Sequence, residues 1–224
     1  MITANESVPR LGLREQAKLE VMRRIRAAAV DLLASKPYDS ITTIEVAQRA
    51  GIAHATLFRH VSSKDELLTL AYGDQMDVVL DKLERQDDLI AAAGAEEDGR
   101  WYCNRIRNLY RSRAEFYLRD PSNASLYLRQ GFDMASPGRE RAVQQGDRLM
   151  ARACRILKDG QEAGHICPGV DALTVAQNCQ GIFIHEVDRT PVRGFDPATI
   201  WDRVEARLSA QLDPLILTPH PPTP

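Results

Sequence analysis

The chain has 224 residues, of which 44% are hydrophobic and 27% are charged. This composition is typical of a folded protein with one or two domains, and it excludes a chain that is disordered throughout. Apolar runs such as residues 89–95 fall short of the roughly 18 residues that a membrane-spanning helix needs, so the sequence predicts no membrane partner.

The N-terminus and the cysteines both favour a cytoplasmic protein. The first residues, MITANESVPR, contain no apolar segment of the kind found in secretory signals. The four cysteines stand at positions 103, 154, 167 and 179, without a C-x-x-C spacing. A chain of this length needs no disulfides, so we expect free thiols in a reducing compartment.

Charge is unevenly distributed along the chain. Residues 9–64 contain ten Lys or Arg and five Asp or Glu, a balance of +5, whereas the whole chain has a formal net charge of -2. The remaining residues therefore sum to -7. A basic N-terminal segment beside an acidic remainder favours contact with a polyanion, although a random drift of charge would give the same pattern.

Helical periodicity dominates the sequence, and no alternating run bounded by turn residues indicates a strand. The sequence therefore predicts an all-α fold. The predicted helices cover residues 15–35, 42–51, 53–61, 63–83 and beyond, 100–119, 122–132, 138–164, 171–187 and 197–212. The predicted divisions are a flexible arm at 1–13, a small helical domain at 14–62, a larger helical domain at 63–217 and a disordered tail at 218–224.

The small domain carries the signals of a helix-turn-helix. Thr42 and Glu45 have the spacing of a capping box, in which each side chain bonds the backbone N–H of the other residue. Gly51 permits the positive φ of a sharp reversal, so the short helices on either side of it form a helix-turn-helix. Ser63 and Glu66 repeat the capping-box spacing at the start of the next helix, and Ser136, Asp171 and Asp196 are candidate N-caps of later helices.

The second helix of this motif, AHATLFRH, is a candidate for insertion into the major groove of DNA, where base edges can be distinguished. Its small residues let the backbone approach closely, and its His, Thr and Arg side chains can bond to bases. Residues at the starts of the flanking helices can contact phosphates. The candidate DNA-binding residues are Thr43, Ala53, His54, Thr56, Phe58, Arg59, His60 and Lys64. His60 could instead be a packed structural residue, and Thr43 and Lys64 could be ordinary helix-end residues.

Residues 24–68 resemble the DNA-binding region of TetR-type transcriptional regulators. The matching segments are IEVAQRAGI at 44–52, TLFRHV at 56–61 and KDELL at 64–68. Ala53 stands where the family usually has serine, which removes an N-cap hydrogen bond. Phe58 stands where tyrosine is usual, which removes a hydroxyl that could meet a phosphate, and Val61 replaces a larger phenylalanine.

The resemblance implies a transcriptional regulator, more commonly a repressor, that is released from a palindromic operator by a small-molecule effector. It also implies a homodimer in which the last two helices of each subunit pair into a four-helix bundle. The candidate interface residues on those helices are Cys179, Ile182, Trp201, Val204 and Leu208. The alternative is that these helices are buried within one subunit.

The resemblance further implies a ligand pocket in the larger domain, for an effector that could be aromatic or acidic. The candidate lining residues are Tyr102, Ile106, Leu109, Tyr110, Arg113, Tyr117, Tyr127 and Phe183. Arg113 falls within the apolar arc of its helix, and an unpaired buried guanidinium is costly. Its partner is therefore either a carboxylate, such as Glu162 or Glu186, or the ligand itself.

No catalytic motif is present: the sequence lacks G-x-S-x-G, a P-loop and a dinucleotide fingerprint. His165, Cys167, Cys179 and His185 do not have a known metal-ligand spacing. We therefore expect no metal, no cofactor and no enzyme activity. The alternatives that remain open are a DNA-binding regulator without a small ligand, whether activating or architectural, and an all-α enzyme.

Overall fold

The computed structural model describes residues 12–94 and 98–217, so the predicted tail and residues 1–11 of the predicted arm lie outside the described residues. The described residues form α-helices joined by turns, which confirms the all-α prediction. The helices are α1 (Leu13–Ser35), α2 (Thr43–Arg49), α3 (His54–Leu57), α4 (Lys64–Ala92), α5 (Gly99–Arg119), α6 (Pro121–Arg129), α7 (Arg139–Glu162), α8 (Ala172–Val192) and α9 (Ile200–Leu212). None of these helices is both long and apolar enough to cross a membrane.

The chain divides into two compact units, with the division after Ala71. The N-terminal unit has a small apolar core, to which α1, α2 and α3 each contribute. Ile25, Ala29, Val46 and Leu57 are at most 1% exposed. Because the apolar residues of α1 recur every three or four positions, they lie on one side of the helix and leave the charged residues on the other.

The start of α2 forms the predicted capping box. The Glu45 backbone N–H donates to Thr42 Oγ1 over 3.2 Å, and the Thr42 N–H donates to Glu45 Oε2 over 2.9 Å. Lys36 Nζ donates to the other carboxylate oxygen of Glu45 over 2.5 Å. This hydrogen bond is the main cause that lowers the pKa of Glu45 to about 2. Gly51 follows α2 with a φ of 64°, the conformation expected for the reversal.

The helix predicted at 53–61 is shorter in the structure. α3 ends at Leu57, and the next three residues form a turn in which the N–H groups of Arg59 and His60 donate to carbonyls three residues back. At the start of α4, the Ser63 hydroxyl accepts from the Glu66 N–H over 3.3 Å. The Glu66 carboxylate, however, accepts from the backbone N–H of Ser62, one residue before the predicted partner.

The C-terminal unit begins within α4 and contains α5 to α9. In its core, α7 packs against α5 and α8, and α8 packs against α9. Aspartates cap the N-termini of α5, α6 and α8, since Asp98, Asp120 and Asp171 each accept a backbone N–H. Only the last of these was predicted. Ser136, predicted to cap α7, instead accepts from the Gly138 N–H within the preceding turn.

Charged side chains also hold α4 in the C-terminal unit. Asp87 on α4 forms two hydrogen bonds with Arg105 on α5, of 2.7 and 2.9 Å, and both side chains are at most 5% exposed. Other acidic residues of α4 face arginines of α7. These pairs are Arg141 with Asp74 and Asp77, Arg148 with Asp81 and Glu84, and Arg152 with Asp88.

Candidate functional site

The predicted DNA-reading helix presents one polar face to solvent. Ala53, His54 and Arg59 are exposed, as is half of the Phe58 side chain, while Leu57 is 1% exposed and anchors the helix in the core. A helix with one buried residue per turn and small or polar residues elsewhere can enter a groove without losing its packing.

Side-chain contacts join the residues of this face. Thr43 Oγ1 lies 3.0 Å from His54 Nε2, which joins the start of α2 to the start of α3. The His54 ring contacts the Phe58 ring edge to face, with the ring centres 4.9 Å apart. Arg59 donates from Nη2 to Thr56 Oγ1 over 3.1 Å. Five of the predicted DNA-binding residues therefore contact one another in two groups, one of Thr43, His54 and Phe58 and the other of Thr56 and Arg59.

Two other predicted residues lie differently. The half-buried His60 places its Nδ1 in the interior, without a hydrogen-bond partner among the described residues. Lys64 is held by the turn that precedes α2: its Nζ donates to the Asp39 carbonyl over 3.2 Å and lies 4.2 Å from the centre of the Tyr38 ring. The Tyr38 hydroxyl in turn donates to Asp65 over 2.5 Å. Sequence reasoning missed Tyr38, because a single tyrosine outside the motif carries no local signal.

A cavity of about 200 Å³ lies in the C-terminal unit, among α5, α6, α7 and α8. Of the predicted pocket residues, Arg113 and Tyr127 line it. The others are packed elsewhere in the core, each at most 3% exposed, and do not line this cavity: Tyr102, Ile106, Leu109, Tyr110, Tyr117 and Phe183. The helical wheel identified the buried face of α5 correctly, but which part of a buried face borders a cavity depends on the helices packed against it.

Arg113 is buried, and among the described residues no carboxylate forms a salt bridge with it. The residue is 5% exposed, and its Nη1 donates to Gln180 Oε1 over 2.7 Å. Its guanidinium carbon lies 4.7 Å from the centre of the Phe183 ring. Its Nε has no hydrogen-bond partner among the described residues. Burial lowers the pKa of Arg113 to about 10, so the side chain remains protonated at neutral pH.

Neither predicted carboxylate pairs with Arg113. Glu162 is exposed at the end of α7. Glu186 is fully buried and forms salt bridges with three other arginines, of which the shortest joins its Oε1 to Arg207 Nε over 2.6 Å. Sequence spacing could not show that other arginines would pair with Glu186 in place of Arg113. These arginines come from α9 and from the next turn of α8.

A chain of hydrogen bonds leads from the cavity to α4. The Tyr127 hydroxyl donates to Gln145 Oε1 over 2.5 Å, and both residues line the cavity. Gln145 Nε2 donates to the Gly73 carbonyl over 3.0 Å and to Asp77 Oδ1 over 2.6 Å. Since Gly73 and Asp77 lie on α4, these hydrogen bonds join the cavity wall to that helix.

The predicted dimer residues fall into two groups. Cys179, Val204 and Leu208 have no exposed surface, because α8 and α9 pack against each other within the subunit. Their side chains therefore stabilise the subunit and cannot contact a partner, which corrects that part of the prediction. Ile182 and Trp201 remain partly exposed.

Among the described residues, no group of three or more His, Cys, Asp or Glu side chains is arranged to hold a metal ion. The predicted candidates His165, Cys167, Cys179 and His185 are therefore not brought together as a set of metal ligands in this part of the chain.

Many solved structures have a similar fold, including three with bound ligands. Thermus thermophilus FadR, a TetR-family transcriptional repressor in complex with lauroyl-CoA, is 22% identical, with a TM-score of 0.62 over 91% of this chain and 98% of that one. Bacillus subtilis FadR in complex with stearoyl-CoA is 16% identical, with a TM-score of 0.62 over 85% and 97%. RolR in complex with resorcinol is 18% identical, with a TM-score of 0.60 over 92% of each chain.

None of the curated proteins matches this chain in sequence. The N-terminal unit, however, matches the family model described as bacterial regulatory proteins, tetR family, over residues 25–71. This match includes the capping box, the reversal at Gly51, α3 and the start of α4. Residues 25–71 of this chain are therefore similar to the tetR family of bacterial regulatory proteins.

Proposed function

We propose that this TetR-family transcriptional regulator is a homodimeric repressor that binds a palindromic operator and leaves it when a small molecule occupies the cavity in its C-terminal unit. The observation that carries the proposal is the solvent-facing side of α3, where His54 contacts Thr43 and Phe58, and Arg59 donates to Thr56. In this proposal residues 14–62 read the DNA, and residues 63–217 bind the effector and form the dimer.

Base recognition is assigned to His54, Thr56 and Arg59, with Ala53 against a thymine methyl group. The other members of the set, Thr43, Phe58, His60 and Lys64, position the helix or contact phosphates. Because phosphate contacts carry no sequence information, their loss would weaken binding to all sequences equally, whereas loss of a base contact would reduce discrimination.

Dimerisation is assigned to the outer faces of α8 and α9, which include Ile182 and Trp201. Two subunits related by a twofold axis place two α3 helices on half-sites about one DNA turn, or a multiple of it, apart. A dimer is needed because one short helix makes too few base contacts for specific binding at physiological salt.

Release is assigned to the hydrogen-bonded chain from Tyr127 through Gln145 to α4. An effector changes DNA affinity only if it binds the DNA-incompetent conformation more tightly. α4 begins at Lys64, beside the DNA-reading face, and includes Gly73 and Asp77, which accept hydrogen bonds from Gln145. The division between the two units falls within this helix, so α4 belongs to both. The solved regulators in complex with lauroyl-CoA and resorcinol support a ligand-responsive role for the same fold.

The test is fluorescence anisotropy of the full chain with the DNA region upstream of its own gene. His54→Ala and Thr56→Ala are expected to lower the preference for that DNA over random DNA by tenfold or more, since a good base contact contributes about 1–3 kcal/mol. Lys82→Ala, which removes an exposed cation of α4 in the C-terminal unit, is the matched control and should change little. Equal affinity of the wild type for both DNAs, or a monomer at micromolar concentration, would refute the proposal.

A further inference from the structure

The cavity in the C-terminal unit has one permanent charge buried in its wall. Arg113 lines the cavity and is only 5% exposed. It has no salt bridge among the described residues, and its one hydrogen bond goes to the neutral amide of Gln180. A buried cation without an anion is among the most costly features a core can contain, and such groups are retained where they have a ligand or a partner.

Two arginines of α7, a helix that lines the cavity, are already paired with carboxylates. Arg141 is paired with Asp74 and Asp77, and Arg148 with Asp81 and Glu84. The cavity therefore offers a ligand one uncompensated positive charge. One further carboxylate, Asp147, lies at the rim, where it is exposed to solvent and forms no ion pair with Arg113.

Gln180 supplies a second donor beside the cation. Its Oε1 accepts from Arg113, so its amide nitrogen is free to donate and has no hydrogen-bond partner among the described residues. That nitrogen lies 3.5 Å from the position that a Cβ on Gly146 would occupy, and Gly146 lines the cavity. A planar guanidinium and an adjacent amide N–H match the two oxygens of a carboxylate.

The remaining wall is largely apolar. It is formed by Leu128, Phe132, Ala142, Val143, Met150 and Ile184, with Gly131 at one edge. A polar group at one point and apolar side chains elsewhere are typical of a site that orients a small amphiphile. The volume of about 200 Å³ restricts the occupant to a small molecule.

We propose that the effector is a small monocarboxylate with an apolar body, and that Arg113 and Gln180 bind its carboxylate. This proposal rests on the effector role assigned above and adds the chemical class of the effector. The ligand carboxylate pairs with the Arg113 guanidinium, for which the described residues supply no anion. The apolar body of the ligand lies against the aliphatic and aromatic wall.

The test compares acids with their neutral amides by calorimetric titration of the full chain: phenylacetate against phenylacetamide, and octanoate against octanamide. Each acid is expected to bind the wild type at least about tenfold more tightly than its amide, the usual difference for a charge-assisted hydrogen bond. Arg113→Met should abolish this preference. Arg113→Lys keeps the charge but not the planar fork, so it should weaken acid binding and leave amide binding unchanged.

Asp147→Asn is the matched control. It changes a charge at the rim of the cavity and should leave the preference for acids intact. Arg113→Met is expected to fold, because replacement of an unpaired buried charge by an apolar side chain of similar length is often neutral or stabilising. Thermal melting checks this point, and Arg113→Lys carries the test if Arg113→Met does not fold.

Equal affinity for acids and amides would overturn the proposal, as would unchanged acid binding by Arg113→Met or the absence of acid binding at millimolar concentration. DNA release is measured separately by anisotropy. If neutral compounds release the DNA and acids do not, this inference fails and the proposed function stands. If acids bind through Arg113 without changing DNA affinity, the inference stands and the proposed release mechanism fails.

Discussion

The two units of this protein are stabilised in different ways. The N-terminal unit relies on local signals: a capping box within four residues, a glycine reversal and a small apolar core. The C-terminal unit relies on polar contacts between residues far apart in the sequence, such as Asp87 with Arg105 and Gln145 with Gly73. The comparison indicates that the proposed DNA-binding surface is built from residues close in sequence, whereas the cavity is built by packing between helices that are distant in sequence.

The largest effect is expected from the buried ion pair of the C-terminal unit. Asp87→Ala leaves Arg105 buried without its carboxylate, so it should lower the free energy of unfolding by about 3–5 kcal/mol. Urea unfolding checks this value. Asp88→Ala is the control: its side chain is 66% exposed, and a much smaller change is expected. Similar effects of the two variants would show that the buried pair does not stabilise the unit.

A smaller effect is expected from the link between the cavity and α4. Gln145→Leu removes the hydrogen bonds to Tyr127, Gly73 and Asp77 and leaves buried polar groups unsatisfied, at a cost of about 2 kcal/mol. It should also reduce the change in DNA affinity that a ligand produces. Gln144→Leu, the adjacent exposed residue, is the control. A full ligand response in Gln145→Leu would exclude this link as the route of coupling.

In the N-terminal unit, Thr42→Ala removes the cap of α2 and should cost about 1 kcal/mol in thermal or urea unfolding. DNA affinity should fall with it, because the capped end of α2 also holds Thr43 against His54. Ser40→Ala, in the preceding turn, removes a hydroxyl outside the box and is the control. An unchanged melting temperature for Thr42→Ala would contradict a stabilising role for the box.

The same capping box predicts a pH dependence. The pKa of Glu45 is lowered from 4.5 to about 2 in the folded chain, first by its hydrogen bond with Lys36. Because a depressed folded pKa favours the ionised form, this stabilisation is fully present above pH 4.5 and is lost as the pH falls towards 2. In Glu45→Gln, the free energy of unfolding should therefore fall less steeply as the pH is lowered from 4.5 towards 2. An identical acid limb in the variant would contradict the assignment.

The smallest effect is expected from Gly146→Ala in the middle of α7. An added methyl group meets Gln180 Nε2 at 3.5 Å, an ordinary contact, so the helix should gain about 0.5–1 kcal/mol. The same methyl group narrows the cavity and should weaken binding of the larger carboxylates. Gly164→Ala, with a φ of 76°, is the contrasting control and should destabilise the chain.

Several features of the fold were predictable because they depend on neighbours in sequence. The capping box at Thr42, the reversal at Gly51 and the cap at Asp171 each require two or three residues at fixed spacing, and all three occur in the structure. The predicted third helix is longer than α3. A run of helix-forming residues does not show where backbone N–H groups begin to bond the carbonyl three residues back, as in a turn, instead of four residues back, as in an α-helix.

The sequence by itself determined the helices, the exposed residues of the proposed DNA-reading face and the burial of Arg113 on the apolar side of α5. Only the tertiary structure decided which carboxylate each arginine meets, because Glu186 is taken by arginines of α8 and α9 and Arg113 is left beside Gln180. It also decided that Cys179, Val204 and Leu208 are buried in the subunit. Helical periodicity reports that a face is buried, whereas the helix that covers it is set by packing between distant segments.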